Sequence, residues 1–252
     1  MGGSHFYAHE GRCFRGLNRV AELVDLKGIL RSDHTLPWNG WNLSERLATS
    51  SPVYVDSDVR AAARGEAVFG VGRGWRDWVY VTIGTGIGGC LVRDGEPYAG
   101  ARGNAMIIGS GALTNICESC GVTSHPVTEN LASGPALARR FREIRGEVAM
   151  AEDVFAAAQD GDPAGRGLLE EAGVTMGVTL AFLINTLDPE GVVIGGGLGL
   201  AEGPYRTGME ASVREHIWAE AARGLEIRNV VLGVDAGIVG AGLVAAECIE
   251  NR

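Results

Sequence analysis

Positive charge is scarce in this chain. Its 22 Lys and Arg residues face 31 Asp and Glu, giving a net charge of −9 and a pI near 5.1. Nucleic-acid phosphates need a basic face, so no nucleic-acid partner is expected. Apolar runs of about 18 residues or more are missing, and no membrane span is expected. The N-terminus, Met1-Gly-Gly-Ser-His, lacks the apolar stretch of a secretory leader, so a cytoplasmic location is expected. Cysteine is sparse as well. Cys13, Cys90, Cys117, Cys120 and Cys248 are odd in number and widely spaced, which does not describe a disulfide framework. Aromatic residues make up only 6% of the chain, yet 46% of it is apolar. Over 252 residues that is enough for a substantial core, in one large or two small α/β domains.

Glycine is what the chain has in excess, 39 residues concentrated in turns after strand-like segments. The segment Trp78-Val-Tyr-Val-Thr-Ile runs straight into Gly84-Thr85-Gly86-Ile-Gly88-Gly89. Successive glycines let several backbone N–H groups converge on one spot, and such a nest binds phosphate. A plain β-hairpin turn is the alternative reading of the same residues. Gly195-Gly196-Gly197 follows the short apolar strand 192–194 in the same way. It is either a tight strand-to-helix turn or a close backbone approach to a nucleotide. Upstream, Val53-Tyr54-Val55-Asp56-Ser57-Asp58 is a strand that ends on carboxylates, and an alanine-rich helix is expected over 58–70. Asp58 reads as the cap of that helix or as a general base that takes a proton from a substrate hydroxyl. Cys117-Glu-Ser-Cys120, followed by His125, offers three zinc donors where a structural site normally has four; free thiols with a surface His are the alternative. Glu129 either accepts hydrogen bonds from sugar hydroxyls or complements a helix start.

Elsewhere strands and helices alternate. Strands are expected at 53–55, 79–83, 89–93, 192–194 and 227–233, with short strand-like pieces at 21–26 and 29–30. Asp94-Gly95 is expected to close a hairpin. Helices are expected at 43–47 with Ser44 as cap, and at 134–145, 151–159, 164–187, 210–222 and 238–248. The helix at 164–187 is apolar on most sides and is expected to be buried. Residues 1–22 show no periodicity and read as poorly ordered or as the stump of something.

Six segments, in order, resemble the ROK sugar kinases. They are 53–66 (VYVDSDVRAAARGE), 84–89 (GTGIGG), Asp94-Gly95, 129–134 (ENLASG), 188–197 (DPEGVVIGGG) and 235–242 (DAGIVGAG). The resemblance spans roughly residues 24–250 and implies the actin-like (ribonuclease H-like) ATPase fold, an α/β architecture of two lobes around a central cleft. It implies ATP and Mg2+ as cofactors, a sugar or cyclitol as substrate and a homodimer. By the same resemblance Asp58 is the catalytic base, Gly84, Thr85 and Gly86 the second phosphate loop, and Gly195, Gly196 and Gly197 the nucleotide turn. Ser57, Ser110 and Glu129 fall at sugar-contacting positions, and Cys117, Cys120 and His125 where the family has its zinc cluster. The implied lobes are 1–60 with helix 236–252 packed on it, and 61–235. The family's Asp-x-Gly-Gly-Thr phosphate loop has no counterpart here, so the first lobe is expected to be incomplete. The family's Ala-Gly-Glu-Ile-Gly-His reads Ala105-Met106-Ile107-Ile108-Gly109-Ser110, and its Asn before the catalytic Asp is Ser57. An atypical acceptor, or binding without phosphoryl transfer, follows from those changes.

Overall fold

The computed structural model describes residues 16–48, 53–116, 119–146 and 150–250. Two parallel strands, β1 (Gly16–Val20) and β2 (Val53–Ser57), form a small sheet with Arg19 opposite Asp56. Among the described residues between them, isolated bridges, Val24 to Leu30 and Ile29 to Asn42, stand where strand pieces are expected. Val24, Leu30, Leu43 and Val55 bury themselves there, with Trp38 and Trp41 stacked 5.3 Å apart. Helix α1 (Leu43–Leu47) is capped by Asn42, which accepts from the Glu45 N–H, rather than by Ser44. For Gly16–Val20 the strand corrects the first of the two readings of 1–22, that of a poorly ordered segment. Five residues are too few to show a period, and pairing with β2 is what extends them. Residues 1–15 lie outside the described residues.

A five-stranded sheet carries most of the molecule. Its order is β5 (Glu96–Pro97), β4 (Ile87–Arg93), β3 (Trp78–Ile83), β8 (Gly191–Gly195) and β9 (Glu226–Asn229). The central strand β3 runs antiparallel to β4 and parallel to β8. Successive side chains of a strand point to opposite faces, and both faces of β3 are buried. Val79, Val81 and Ile83 enter one core with Val192 and Ile194. Trp78 and Tyr80 enter the other with Val193 and Cys90. Asp94 and Gly95 join β4 to β5, both at positive φ (52° and 81°), the geometry that suits the twist of a two-residue hairpin. A minor hairpin, β6 (Asn115–Ile116) with β7 (Thr123–Ser124), stands apart from this sheet.

Helices cover both faces. Helix α2 (Asp58–Val68) and the C-terminal α9 (Ala236–Glu250) lie on the Trp78 and Tyr80 side. They cross at Gly65 and Gly240, where a Cβ on either would run into the backbone of the other helix. On the Val79 side sit α3 (Thr128–Ala132), α4 (Gly134–Arg145), α5 (Ala151–Gln159) and α6 (Pro163–Leu187). Helix α6 is long and apolar enough by composition to cross a membrane; its Leu168, Leu169, Met176, Leu180 and Ile184 lie in the core instead. The four-residue α7 (Gly197–Leu200) follows β8, and α8 (Pro204–His216) packs along α6.

Helix α8 departs from the expected 210–222. Pro204 starts it early, as proline suits a first turn. Asn185 ends it: its side-chain amide donates to the His216 carbonyl, and its oxygen accepts from the Trp218 N–H. Glu220–Ala222 is a separate short turn. The expected strand 227–233 is likewise shorter, because Gly233–Asp235 turns into α9.

Candidate functional site

The parallel strands deliver three segments to one place. Asp58 follows the C-terminal end of β2, Gly84 that of β3, and Gly196 that of β8. In open α/β sheets, ligands collect outside such carboxyl ends. A cavity of about 420 Å³ lies here, with Asp58, Tyr80, Thr82, Gly196, Gly197 and Gly233 in its wall.

Asp58 opens α2 behind Ser57, whose hydroxyl accepts from the Arg60 N–H at 3.3 Å. Ser57 is therefore the helix cap, and Asp58 is left at the cavity with one oxygen 2.9 Å from the Val59 N–H. The strand end before it is fastened from beneath. Asp56 is buried in an ion pair with Arg60. The same guanidinium donates to the Gly103 carbonyl (2.6 Å) and the Val24 carbonyl (3.1 Å). A buried charge is tolerated when paired and hydrogen-bonded in this way, and this one ties the Val24 and Gly103 segments to the root of Asp58.

The two glycine turns touch. A Cβ on Gly84 would lie 3.9 Å from the Gly197 nitrogen. Gly196 has φ 80° and sits against the Ile83 backbone, where no side chain fits. Gly84 also accepts from the Gly134 N–H at 2.9 Å, which brings the start of α4 to the turn. Gly195 is different: it is buried, and its missing side chain makes room for the Tyr80 hydroxyl and Val230. Burial pushes the Tyr80 phenol up to about 12; the Glu66 and Asp58 carboxylates add to this, and a hydrogen bond with Thr82 works against it. Tyr80 thus stays protonated, a donor at the cavity wall.

Thr85 and Gly86 are exposed at the tip of the β3–β4 turn, outside the cavity wall. They belong to a second group gathered around Glu129. Its Oε2 accepts from the Ile87 N–H at 2.7 Å. It lies 3.1 Å and 3.0 Å from where a Cβ on Gly86 or Gly109 would be. Glu129 therefore holds the turn of 84–87 as well as facing the segment with Ser110, which is exposed at the end of the short turn Ile108–Ser110. Ile107 beside it is 41% exposed, an apolar side chain turned outward. Met106 takes φ 63°, a conformation that glycine adopts without strain.

Of the zinc candidates, Cys117 lies outside the described residues. Cys120 and His125 are exposed, and His125 Nδ1 is 3.5 Å from the Thr114 hydroxyl. Among the described residues no three His, Cys, Asp or Glu side chains form a metal-holding group. Cys90 is buried in the core, and burial pushes its thiol up.

Several residues of the site are not evident from sequence patterning. Tyr80 and Thr82 look like ordinary strand residues. Arg60 shows only as the partner of an (i, i+4) pair with Asp56, across a strand–helix junction. Val230 and Gly233 come from the segment 227–233 that reads as strand, and Val234 follows it.

The sheet, the helices on both of its faces and the glycine turns superimpose on solved sugar kinases of the actin-like ATPase fold. The chain belongs to the ROK family, whose family model matches residues 19–247. It is 33% identical to a glucokinase of Halalkalibacterium halodurans, over 87% of this chain and 72% of that protein. It is 37% identical to the bifunctional enzyme NanE/NanK of Brucella melitensis, over 79% of this chain and 36% of that longer protein. Among solved structures it superimposes on a ROK family glucokinase from Streptomyces griseus in complex with glucose and AMPPNP. The TM-score there is 0.77 at 27% identity, covering 91% of this chain and 80% of the other. By this company it resembles an ATP-dependent carbohydrate kinase.

Proposed function

We propose that this protein transfers the γ-phosphoryl group of ATP to a hydroxyl of a sugar or sugar-like acceptor. One observation carries the reading: Asp58 shares a cavity wall with Gly196 and Gly197, and Gly84 abuts Gly197. The acceptor oxygen attacks the γ-phosphorus as its proton passes to the Asp58 carboxylate, and the bond to the β-phosphate oxygen breaks to release ADP. The backbones at Gly84–Gly86 and Gly196–Gly197 are the candidate grip for the nucleotide, with the apolar wall of Leu200, Val230 and Val234 suited to its base. Gly197 lines the cavity with nothing within 4 Å of its Cβ position, which fits a close backbone approach by the nucleotide. Magnesium, when bound, would neutralise charge on the β- and γ-phosphates. We read the β1–β2 sheet with α9 as the smaller lobe and the five-stranded sheet as the larger.

The acceptor side is where this chain is unusual. Ile107 offers no hydrogen bond where the family's pattern has glutamate, and Ser110 replaces its histidine. A buried hydroxyl left without its partner costs about 1–3 kcal/mol. We therefore place the acceptor among amino sugars and cyclitols rather than plain hexoses. The same two residues favour a second reading, a relative that binds sugar or nucleotide without transfer. A coupled ADP-release screen over hexoses, amino sugars and cyclitols decides between them. Acceptor-dependent ADP, lost in Asp58→Asn, is expected. Ligand-induced thermal stabilisation with no ADP from any acceptor would favour the binding protein.

A further inference from the structure

Helix α2 carries two carboxylates, and only one of them faces the cavity. Asp58 is its first residue. Glu66 lies eight positions on, about two turns along the helix, and is completely buried. Among the described residues no cation forms an ion pair with Glu66. Three backbone N–H groups hold its charge instead. Oε1 accepts from Val231 (3.1 Å) and Leu232 (2.9 Å), and Oε2 accepts from Val71 (3.0 Å). Val231 and Leu232 sit 165 and 166 residues away in sequence. They belong to the segment that joins β9 to α9, and its Val230, Gly233 and Val234 line the same cavity as Asp58. A carboxylate deprived of water and satisfied by N–H donors is a rigid anchor, because every alternative position leaves charge or donors unpaired.

We propose that Glu66 is a positioning residue that fixes the 230–234 wall of the cleft against the helix bearing Asp58. The inference rests on the kinase reading above and adds to it the group that sets the distance between nucleotide wall and base. One end of α2 presents the proton acceptor, and the other grips the wall on which the nucleotide base would rest. The geometry also supplies an indirect way to move Glu66. A Cβ on Gly70 would run into Glu66 Oε2 and lie 2.7 Å from the Glu66 Cα, so Gly70→Ala must displace the carboxylate together with the turn that ends α2.

The test is calorimetric titration of the whole chain with MgAMPPNP, for the wild type, Glu66→Gln and Gly70→Ala. Gln keeps one acceptor oxygen but turns a donor on an N–H. Both variants are expected to weaken MgAMPPNP binding about tenfold or more with unchanged far-UV circular dichroism, the loss of one buried hydrogen-bond set. Wild-type affinity in either folded variant overturns the proposal. A third measurement needs no variant. In wild-type protein, hydrogen exchange at the Val231 and Leu232 amides is expected to be slow and to slow further with MgAMPPNP. Fast exchange there, in protein that binds the nucleotide, overturns the proposal alone. Absence of any wild-type binding overturns the kinase reading itself.

Discussion

Asp58 occupies a position that a capping residue could fill, yet Ser57 already caps the helix by accepting from the Arg60 N–H. That leaves the Asp58 carboxylate at the cavity, with the Asp56–Arg60 pair fixing the chain before it. Asp58→Asn preserves shape and removes the proton acceptor. Acceptor-dependent ADP release is expected to fall by about 10²–10⁴, the usual contribution of a general base, with MgAMPPNP affinity retained. Turnover within a fewfold of wild type would remove Asp58 from the mechanism. A second residue-scale expectation concerns acid. Burial works to raise the Glu22 pKa, but hydrogen bonds from the Ser32 hydroxyl and the Thr35, Leu36 and His34 N–H groups outweigh it and bring the group to about 2. A carboxyl whose folded pKa is depressed stabilises the fold above its unfolded pKa and ceases to do so as pH falls through the folded value. Glu22→Gln should lower the melting temperature at pH 7. Its gap from wild type should then narrow between about pH 4.5 and 2. A gap constant over that window would show that the Glu22 charge is not what holds residues 32–36. Asp58 stands out in the sequence because a strand ending on a carboxylate is a local pattern. Arg60 and Glu66 do not, because their partners at Gly103 and Val231 are set by the tertiary fold.

At the scale of elements, local chemistry and long-range contact divide the outcome. Helices with their own start and stop signals are where the sequence places them. Helix α4 has Ser133 as cap, Pro135 in its first turn and Gly146 in the left-handed conformation after its end. Helix α6 has Asp162 as cap and Pro163 behind it. Helix α8 is displaced because its end is set by Asn185, 31 residues away in sequence. Strand β1 is missed for a related reason: a parallel partner, not an alternating pattern, makes it a strand. The crossing of α2 and α9 gives this scale its prediction. Gly65 and Gly240 let the helix backbones meet, so Gly240→Ala must push α9 away from Ala61. Overpacking of that kind costs about 1–3 kcal/mol, readable as a lower urea midpoint with unchanged slope. An Ala variant as stable as wild type would mean that the crossing tolerates a wider spacing.

At the scale of the molecule, the sheet order is what the sequence hides most completely. Strand β3 pairs with β8 across more than 100 intervening residues, and no local pattern announces it. The glycine runs after these two strands are legible one by one, but their adjacency is a product of that pairing. The same pairing makes nucleotide binding a whole-molecule event, because Gly84, Gly196, Gly197 and Asp58 come from three separate strand ends. A ligand that binds only the assembled cleft stabilises the folded state by about 2.7 kcal/mol at a hundred times its Kd. For a chain of this size that corresponds to a melting-temperature rise of about 5–10 °C. MgAMPPNP should produce this rise in the wild type and in Asp58→Asn alike, because the carboxylate acts on the acceptor proton and not on the nucleotide. A side chain at Gly196 would need the space of the Ile83 backbone, so Gly196→Val should lose both the shift and basal stability. Gly197 has open space around its Cβ position, so Gly197→Val should stay folded while its side chain enters the cavity. Loss of the nucleotide shift in Gly197→Val, at an unchanged ligand-free melting temperature, places the nucleotide on this turn. A full shift in that variant would move the nucleotide off the β8 end and leave the β3–β4 turn as its sole glycine contact.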